Sequence, residues 1–414
     1  MSDDNKKKLG EQLIKCLLDD ELPVDKKLKK MDYIICLGAD VNTEVEENGF
    51  SILVLAKMMN DEKIVELLEK KGAEIKLVNE DNAEEFFSTA SVEDINEVLS
   101  VLPDGYRLDC AIDLSKRDLT ELPNFSKVIV DGFFDCRENP LKTLKGAPID
   151  VGGDFYCPFS LETLKGAPSK VDGDFECSSC EFTTLEGAPR EVGGDFNCSN
   201  SQITSLEGGP EKVGGKYDCS FCQLTTLKGA PKELAGGFSC FKNHLTTLEY
   251  APSRVDGDFD CGVNWLTTLK GAPRMVGGFS CELNNLTSLE GAPEKVNGWF
   301  YCGRNKLTTL KGAPRMVGDD FRCEQNHLTT LEGGPEEVGK DFWCMDNPLK
   351  SIEGHPLVVG RFIFCNEKSI KIIDGKPVMD GKPIIDWKFL HKEKKKINDE
   401  ETKIIGRIFN RFHR

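Results

Sequence analysis

From about residue 108 to residue 374 the chain repeats one arrangement of apolar and polar positions. Cys136, Cys157, Cys177, Cys198, Cys219, Cys240, Cys261, Cys281, Cys302, Cys323, Cys344 and Cys365 follow one another at steps of 20 or 21 residues, and Leu114 stands at a divergent first rung. Phe lies two before nearly every Cys, as at Phe196 and Phe259, and Leu or Ile lies five and eight after it in nearly every unit, as at Leu266 and Leu269. Pro lies about twelve after it, as at Pro148 and Pro273. A fixed short period predicts a solenoid. Phe-x-Cys predicts a short strand with both side chains on one face. Pro in nearly every unit forbids a regular helix on the return path and favours an extended, polyproline-like segment. Gly-Gly before the strand predicts a sharp turn that a side chain would hinder.

The stretch "VGGFSCELNNL" (276–286) matches LxxLxLxxNxL at Val276, Phe279, Cys281, Asn284 and Leu286. Asn recurs three after the Cys at Asn139, Asn243, Asn264, Asn305, Asn326 and Asn347, with Cys180 and Cys222 in its place in two turns. The array resembles leucine-rich repeats, and its length and "NxLTTL…P" resemble the short class of bacterial effectors and similar phage and large-virus arrays. That resemblance implies an Asn ladder bonded to the backbone of neighbouring turns and a parallel-β array with an extended convex side.

The first hundred residues follow another pattern. Gly38 of "LGADVN" and Gly72 of "KKGAEI" lie 34 apart. Between them "NGFSILVLA" (48–56) carries Gly49, Ser51, Leu53 and Ala56 in the places of an ankyrin repeat, with Ile52 and Val54 where Pro and His are usual. This segment resembles one ankyrin repeat flanked by two degenerate ones. The expected fold is an α+β solenoid: an ankyrin-like helical domain over 1–105, a leucine-rich-repeat-like array of about thirteen turns over 106–374, and a C-terminal cap and basic tail over 375–414. Two Asp-Gly signals in "IIDGKPVMDGKPIIDW" (372–387) predict tight hairpins closing the array. In the tail, Ile404, Ile405, Ile408, Phe409 and Phe412 fall on one face of a helix whose remainder is basic.

Composition narrows the function. The 414 residues carry a net charge of −17, which argues against nucleic-acid binding. The start has no signal peptide and no run is long and apolar enough to span a membrane, so a cytoplasmic or other reducing compartment is expected. The basic tail is expected to dock onto the acidic body of the chain, and attachment to an anionic membrane is its rival use and the sole membrane contact expected. The seventeen cysteines are odd in number and regular in spacing. Stacked strands lie about 4.8 Å apart, whereas disulfides want Cβ atoms near about 3.8 Å, so the twelve ladder cysteines are expected to be buried and reduced. The pairs Cys177/Cys180 and Cys219/Cys222 have zinc-ligand spacing, but two turns separate them by about 10 Å, too far for one site. No metal or other cofactor is expected. No acid–base or nucleophilic constellation stands out, so no catalytic residue is assigned.

The variable positions carry whatever specificity exists. Residues flanking the inward Phe and Cys face the concave surface. Asp154, Asp174, Asp195, Asp258, Asp320 and Asp341 form a column three before Cys, suited to capping the Gly turn or presenting charge. The early turns are acidic or small, and the last ones carry Trp299, Tyr301, Arg322, Trp343 and Phe364, residue types enriched at binding hot spots. These five are the candidate partner-binding residues. Asp154, Asp174, Asp195, Asp218, Asp258 and Asp260 are the candidate steering charges for an unidentified protein partner with a basic patch. The function expected is a non-enzymatic protein-interaction scaffold. The alternatives are a secreted bacterial or viral effector with hidden catalysis, and a structural surface protein.

Overall fold

The computed structural model describes residues 5–45 and 49–365 with their side chains, and 3–4, 368–373, 376–379 and 382–383 as backbone. The tail helix face at 404–412 lies outside the described residues. The chain divides into two units, Met1–Phe238 and Ser239–Arg414.

The first unit opens with six helices: α1 (Asp3–Leu17), α2 (Val24–Cys36), α3 (Ile52–Met58), α4 (Glu62–Lys70), α5 (Glu80–Thr89) and α6 (Val92–Val101). The last three start after short polar residues that satisfy orphan amides. Asp61, Asn79 and Ser91 accept from the backbone N–H of Ile64, Asn82 and Asp94. Ser51 precedes α3 without such a bond, and its hydroxyl donates instead to the Glu74 carbonyl. Leu13, Leu17, Met31, Ile34, Ile52, Leu53, Ile64 and Leu68 form a common buried cluster. Lys27 is buried beneath α1 and donates from Nζ to the Leu17 carbonyl at 2.9 Å, a cation satisfying the end of a helix.

A parallel β-solenoid of 20- to 21-residue turns, leucine-rich-repeat-like in pattern, begins at Tyr106. Phe-x-Cys strands pair in parallel and in register, as Phe175 beside Phe196 and Phe196 beside Tyr217. The second unit uses the same turn, with Phe279 beside Phe300, Phe300 beside Phe321 and Phe321 beside Phe342. Inward aromatics stack along the core. Ring centroids lie 5.3 Å apart for Phe134–Phe155 in the first unit and 5.2 Å for Phe321–Phe342 in the second. Ladder cysteines fill the adjoining slot and are buried, which pushes thiols such as Cys177 and Cys281 well above their usual range.

The asparagine ladder is present. Asn284 donates from Nδ2 to the carbonyls of Cys261, Cys281 and Glu282 and accepts from the Leu266 N–H. Cys180 and Cys222 donate thiols to Pro158 and Cys198 carbonyls from the same slot. Ser201 also takes that place, donating to the Cys198 carbonyl.

Of three features, the first and the last depart from the sequence-based expectation, and the second gives the reason for the expected glycine turn. A second short strand precedes the Gly-Gly turn, as at Lys170–Val171 and Lys295–Val296, and forms further parallel ladders. The Gly pairs are required by close approach: a Cβ on Gly193 would run into the Asp172 carbonyl of the preceding turn. Third, Cys344 and Cys365 form a disulfide, so the ladder is not wholly reduced. Their Cα atoms are 5.1 Å apart, inside the roughly 4.4–6.8 Å range that disulfides accept. The spacing of neighbouring rungs therefore permits a bridge once the two side chains turn toward each other. No other disulfide occurs among the described residues.

After Ile363–Cys365 the segments Lys368–Ile373, Lys376–Met379 and Lys382–Pro383 pair antiparallel in succession, as the Asp-Gly signals imply. Among the described residues, no helix is long and apolar enough to cross a membrane.

Candidate interaction surface

A two-residue strand fixes which side chains meet solvent. With Phe and Cys inward, the positions three before, one before and one after each Cys lie outward, and parallel pairing aligns them in columns.

In the first unit these columns are largely occupied with bonds of their own. Asp154 Oδ1 accepts from the Asp174 N–H, Asp174 Oδ1 from the Asp195 N–H, and Asp195 Oδ1 from the Lys216 N–H. The aspartate column is thus a second ladder, tying each turn to the next rather than capping its own glycine. Asp154 spends its other oxygen on the Tyr156 hydroxyl, at 2.8 Å. Asp218 accepts from the Ser220 N–H and from Lys216 Nζ. Asp135, only 5% exposed, is clasped by Arg137, whose guanidinium lies 4.4 Å from the Tyr156 ring centroid. Sequence reasoning passed over this Arg137–Tyr156 pair, because the two residues occupy different columns.

The second unit continues the aspartate ladder. Asp258 Oδ1 accepts from the Gly278 N–H, Asp320 from the Asp341 N–H and Asp341 from the Phe362 N–H. Asp260 accepts from the Gly262 N–H. Asp174, Asp195 and Asp258 remain exposed while making these bonds.

The five candidate binding residues come together in the second unit. Tyr301 pairs with Arg322, Arg322 with Trp343 and Trp343 with Phe364 across successive parallel strands. The Arg322 guanidinium sits between two rings, 4.7 Å from the Tyr301 centroid and 5.1 Å from the Trp343 centroid. Trp299 stacks on Tyr301 at 4.5 Å, and Trp343 on Phe364 at 4.0 Å. The result is one continuous stack of faces with a cation in its middle. Each member is half-buried. Arg322 Nε and Trp343 Nε1 are buried without a hydrogen-bond partner among the described residues, and Nη2 of Arg322 lies 3.6 Å from Asp320.

Glu282 and Glu324, in the column one after Cys, were not singled out from the sequence. Burial, then the neighbouring Glu324 carboxylate, pushes Glu282 up to about 7, against the pull of Arg322 and Arg304. Burial raises Glu324 as well, and its Oε2 has no partner among the described residues. A signal was legible: that column reads Glu282, Gly303, Glu324, two acids around a residue without a side chain. Among the described residues, no group of three or more His, Cys, Asp and Glu side chains is placed to hold a metal ion.

Among solved structures, YopM from Yersinia enterocolitica WA-314 is similar over 62% of this chain, at 18% sequence identity and a TM-score of 0.46. The match spans 64% of that protein's length. No family model and no curated protein matches the sequence.

Proposed function

We propose that this protein is a non-enzymatic interaction scaffold that binds a protein partner on the concave face of its repeat array. The observation that carries the reading is the Trp299–Tyr301–Arg322–Trp343–Phe364 stack, half-open and in register on consecutive strands. Large planar groups bury much area at little entropy cost, and a rigid sheet orders nothing further on binding. The partner carries a basic patch, because the exposed Asp174, Asp195 and Asp258 and the chain's net charge of −17 steer cations. Asp154, Asp218 and Asp260 contribute to that field while bonded to their own chain. In this reading residues 1–105 are an ankyrin-like domain built around the α3–α4 pair, 106–374 the leucine-rich-repeat-like array, and 375–414 a cap with a basic tail. The many thiols outside disulfides fit a reducing compartment.

The test uses the full chain as bait against a lysate, beside Trp343→Ala and Arg322→Ala baits. A partner retained by the wild type and lost by both variants, whose melting temperatures stay close to wild type, supports the reading. A partner retained equally by all three means that the stack only packs beneath the C-terminal cap.

A further inference from the structure

The aromatic stack is flanked by an acidic pair whose geometry is unusual for a surface. Glu282 and Glu324 stand on alternate turns with Gly303 between them. A Cβ at Gly303 would sit 3.1 Å from Glu282 Oε1 and 3.2 Å from Glu324 Cδ. Both carboxyl groups therefore lean into the space that a side chain would otherwise fill. Among the described residues Glu324 Oε2 has no partner and no open surface, and no side chain donates to Glu282's carboxylate. Arg322, the nearest cation in the stack, has its ring-facing position between Tyr301 and Trp343 and directs Nη2 to Asp320. Two like charges converging over one glycine are repulsive unless a proton or a cation stands between them.

We propose that the Glu282–Gly303–Glu324 notch is a subsite for one lysine side chain of an extended segment of the partner, laid across the strands beside the aromatic stack. This inference rests on the scaffold reading above and adds the chemistry of one contact. Charge complementarity selects the occupant. An ammonium is a compact charge with three donors, and it enters a gap one residue wide between two carboxylates. The lysine stem would lie over Gly303 and along the Tyr301 ring, where apolar methylenes are covered and the charge stays with the acids. In the empty notch the pair folds over Gly303 and retains a proton, and an incoming ammonium takes that proton's place. The groups that set this balance are Glu282 and Glu324 themselves, Arg322, Arg304, Asp260 and Asp346.

The experiment uses the full chain and a positional library of extended peptides in which one position is lysine or its uncharged analogue norleucine. Binding is read by fluorescence anisotropy and by calorimetry in two buffers of different ionisation enthalpy. The expected result is a preference for lysine of about tenfold near neutral pH, with a proton released on binding below the Glu282 midpoint. Glu282→Gln with Glu324→Gln keeps the shape and removes the preference. Gly303→Ala fills the notch and reduces the preference, while the melting temperature reports whether the turn stays folded. Trp343→Ala weakens lysine and norleucine peptides alike. Equal binding of the two peptides, a lysine preference that survives both glutamine substitutions, or no peptide binding at all overturns the proposal. Lysate capture that depends on Trp343 while the glutamine variants change nothing would leave the scaffold reading standing and sink only this subsite. Saturable binding of calcium or manganese that requires both glutamates, with no lysine preference, assigns the notch to a metal instead and also overturns it.

Discussion

Single residues divide into those that hold the frame and those that face outward. Leu269 is fully buried among the stacked turns, so Leu269→Ala should cost about 2–5 kcal/mol in denaturant unfolding. Trp343→Ala and Arg322→Ala should each weaken partner binding by about 2 kcal/mol, far more than they lower the unfolding midpoint. Glu282 adds a pH signature. Its folded value of about 7 stands above the ordinary 4.5, so the folded chain binds more protons than the unfolded chain between them. Stability from this group is therefore full below the ordinary value and is lost as pH rises toward 7. Glu282→Gln should raise the melting temperature above neutrality and flatten that slope. A slope unchanged in the variant would place the titration elsewhere.

At the scale of the element, each turn is held by ladders that span turns rather than by bonds within itself. The Asn284 amide serves three carbonyls and one N–H in its own and the preceding turn. Asn284→Ala leaves buried carbonyls without donors, which costs about 1–3 kcal/mol for each group left unsatisfied. Hydrogen exchange should quicken first around Leu266 and Cys281. Asp195 does the same on the outer face through the Lys216 N–H. Asp195→Asn should slow association with a basic partner and spare stability, because the amide oxygen still accepts. Asp195→Ala should lower both. The residues two after most ladder cysteines, such as Val263 at φ 54° and Leu283 at φ 54°, adopt the left-handed region without being glycine. Their N–H groups donate to Glu282 and Gly303 carbonyls of the next turn, so the neighbouring turn holds a conformation that costs an isolated L-residue roughly 1–2 kcal/mol.

For the whole molecule, burial and oxidation state decide what a thiol reagent sees. All cysteines outside the disulfide are buried except Cys36. Titration of the native protein should modify chiefly that one. Denaturation without reductant should reveal fifteen thiols, and with reductant all seventeen. Seventeen without reductant would mean that Cys344 and Cys365 are not joined. A net charge of −17 also makes association with a basic partner a salt-dependent rate: raising ionic strength should slow binding more than it speeds release.

What the chain itself determined is the frame and the order of its outward residues. A period of 20 or 21 with an apolar-x-Cys alternation, Phe in nearly every rung, leaves one way to bury both side chains, and it aligns Trp299, Tyr301, Arg322, Trp343 and Phe364 whatever the details of the turn. The ladder asparagines were legible for the same reason: one slot, one bonding pattern, repeated. Tertiary structure decided the features that depend on a neighbour about twenty residues away. The second strand needed the adjacent turn's backbone as its partner, because Lys170 and Val171 alone are too short to declare it. The disulfide needed two particular rungs to turn toward each other, which the spacing permits at many rungs and the geometry realises at Cys344 and Cys365. The aspartates' role depended on which N–H lay within reach of each carboxylate. Glu282 and Glu324 drew no notice as separate surface acids. Only folding places them on both sides of Gly303, where loss of water and the proximity of like charge alter the chemistry of both.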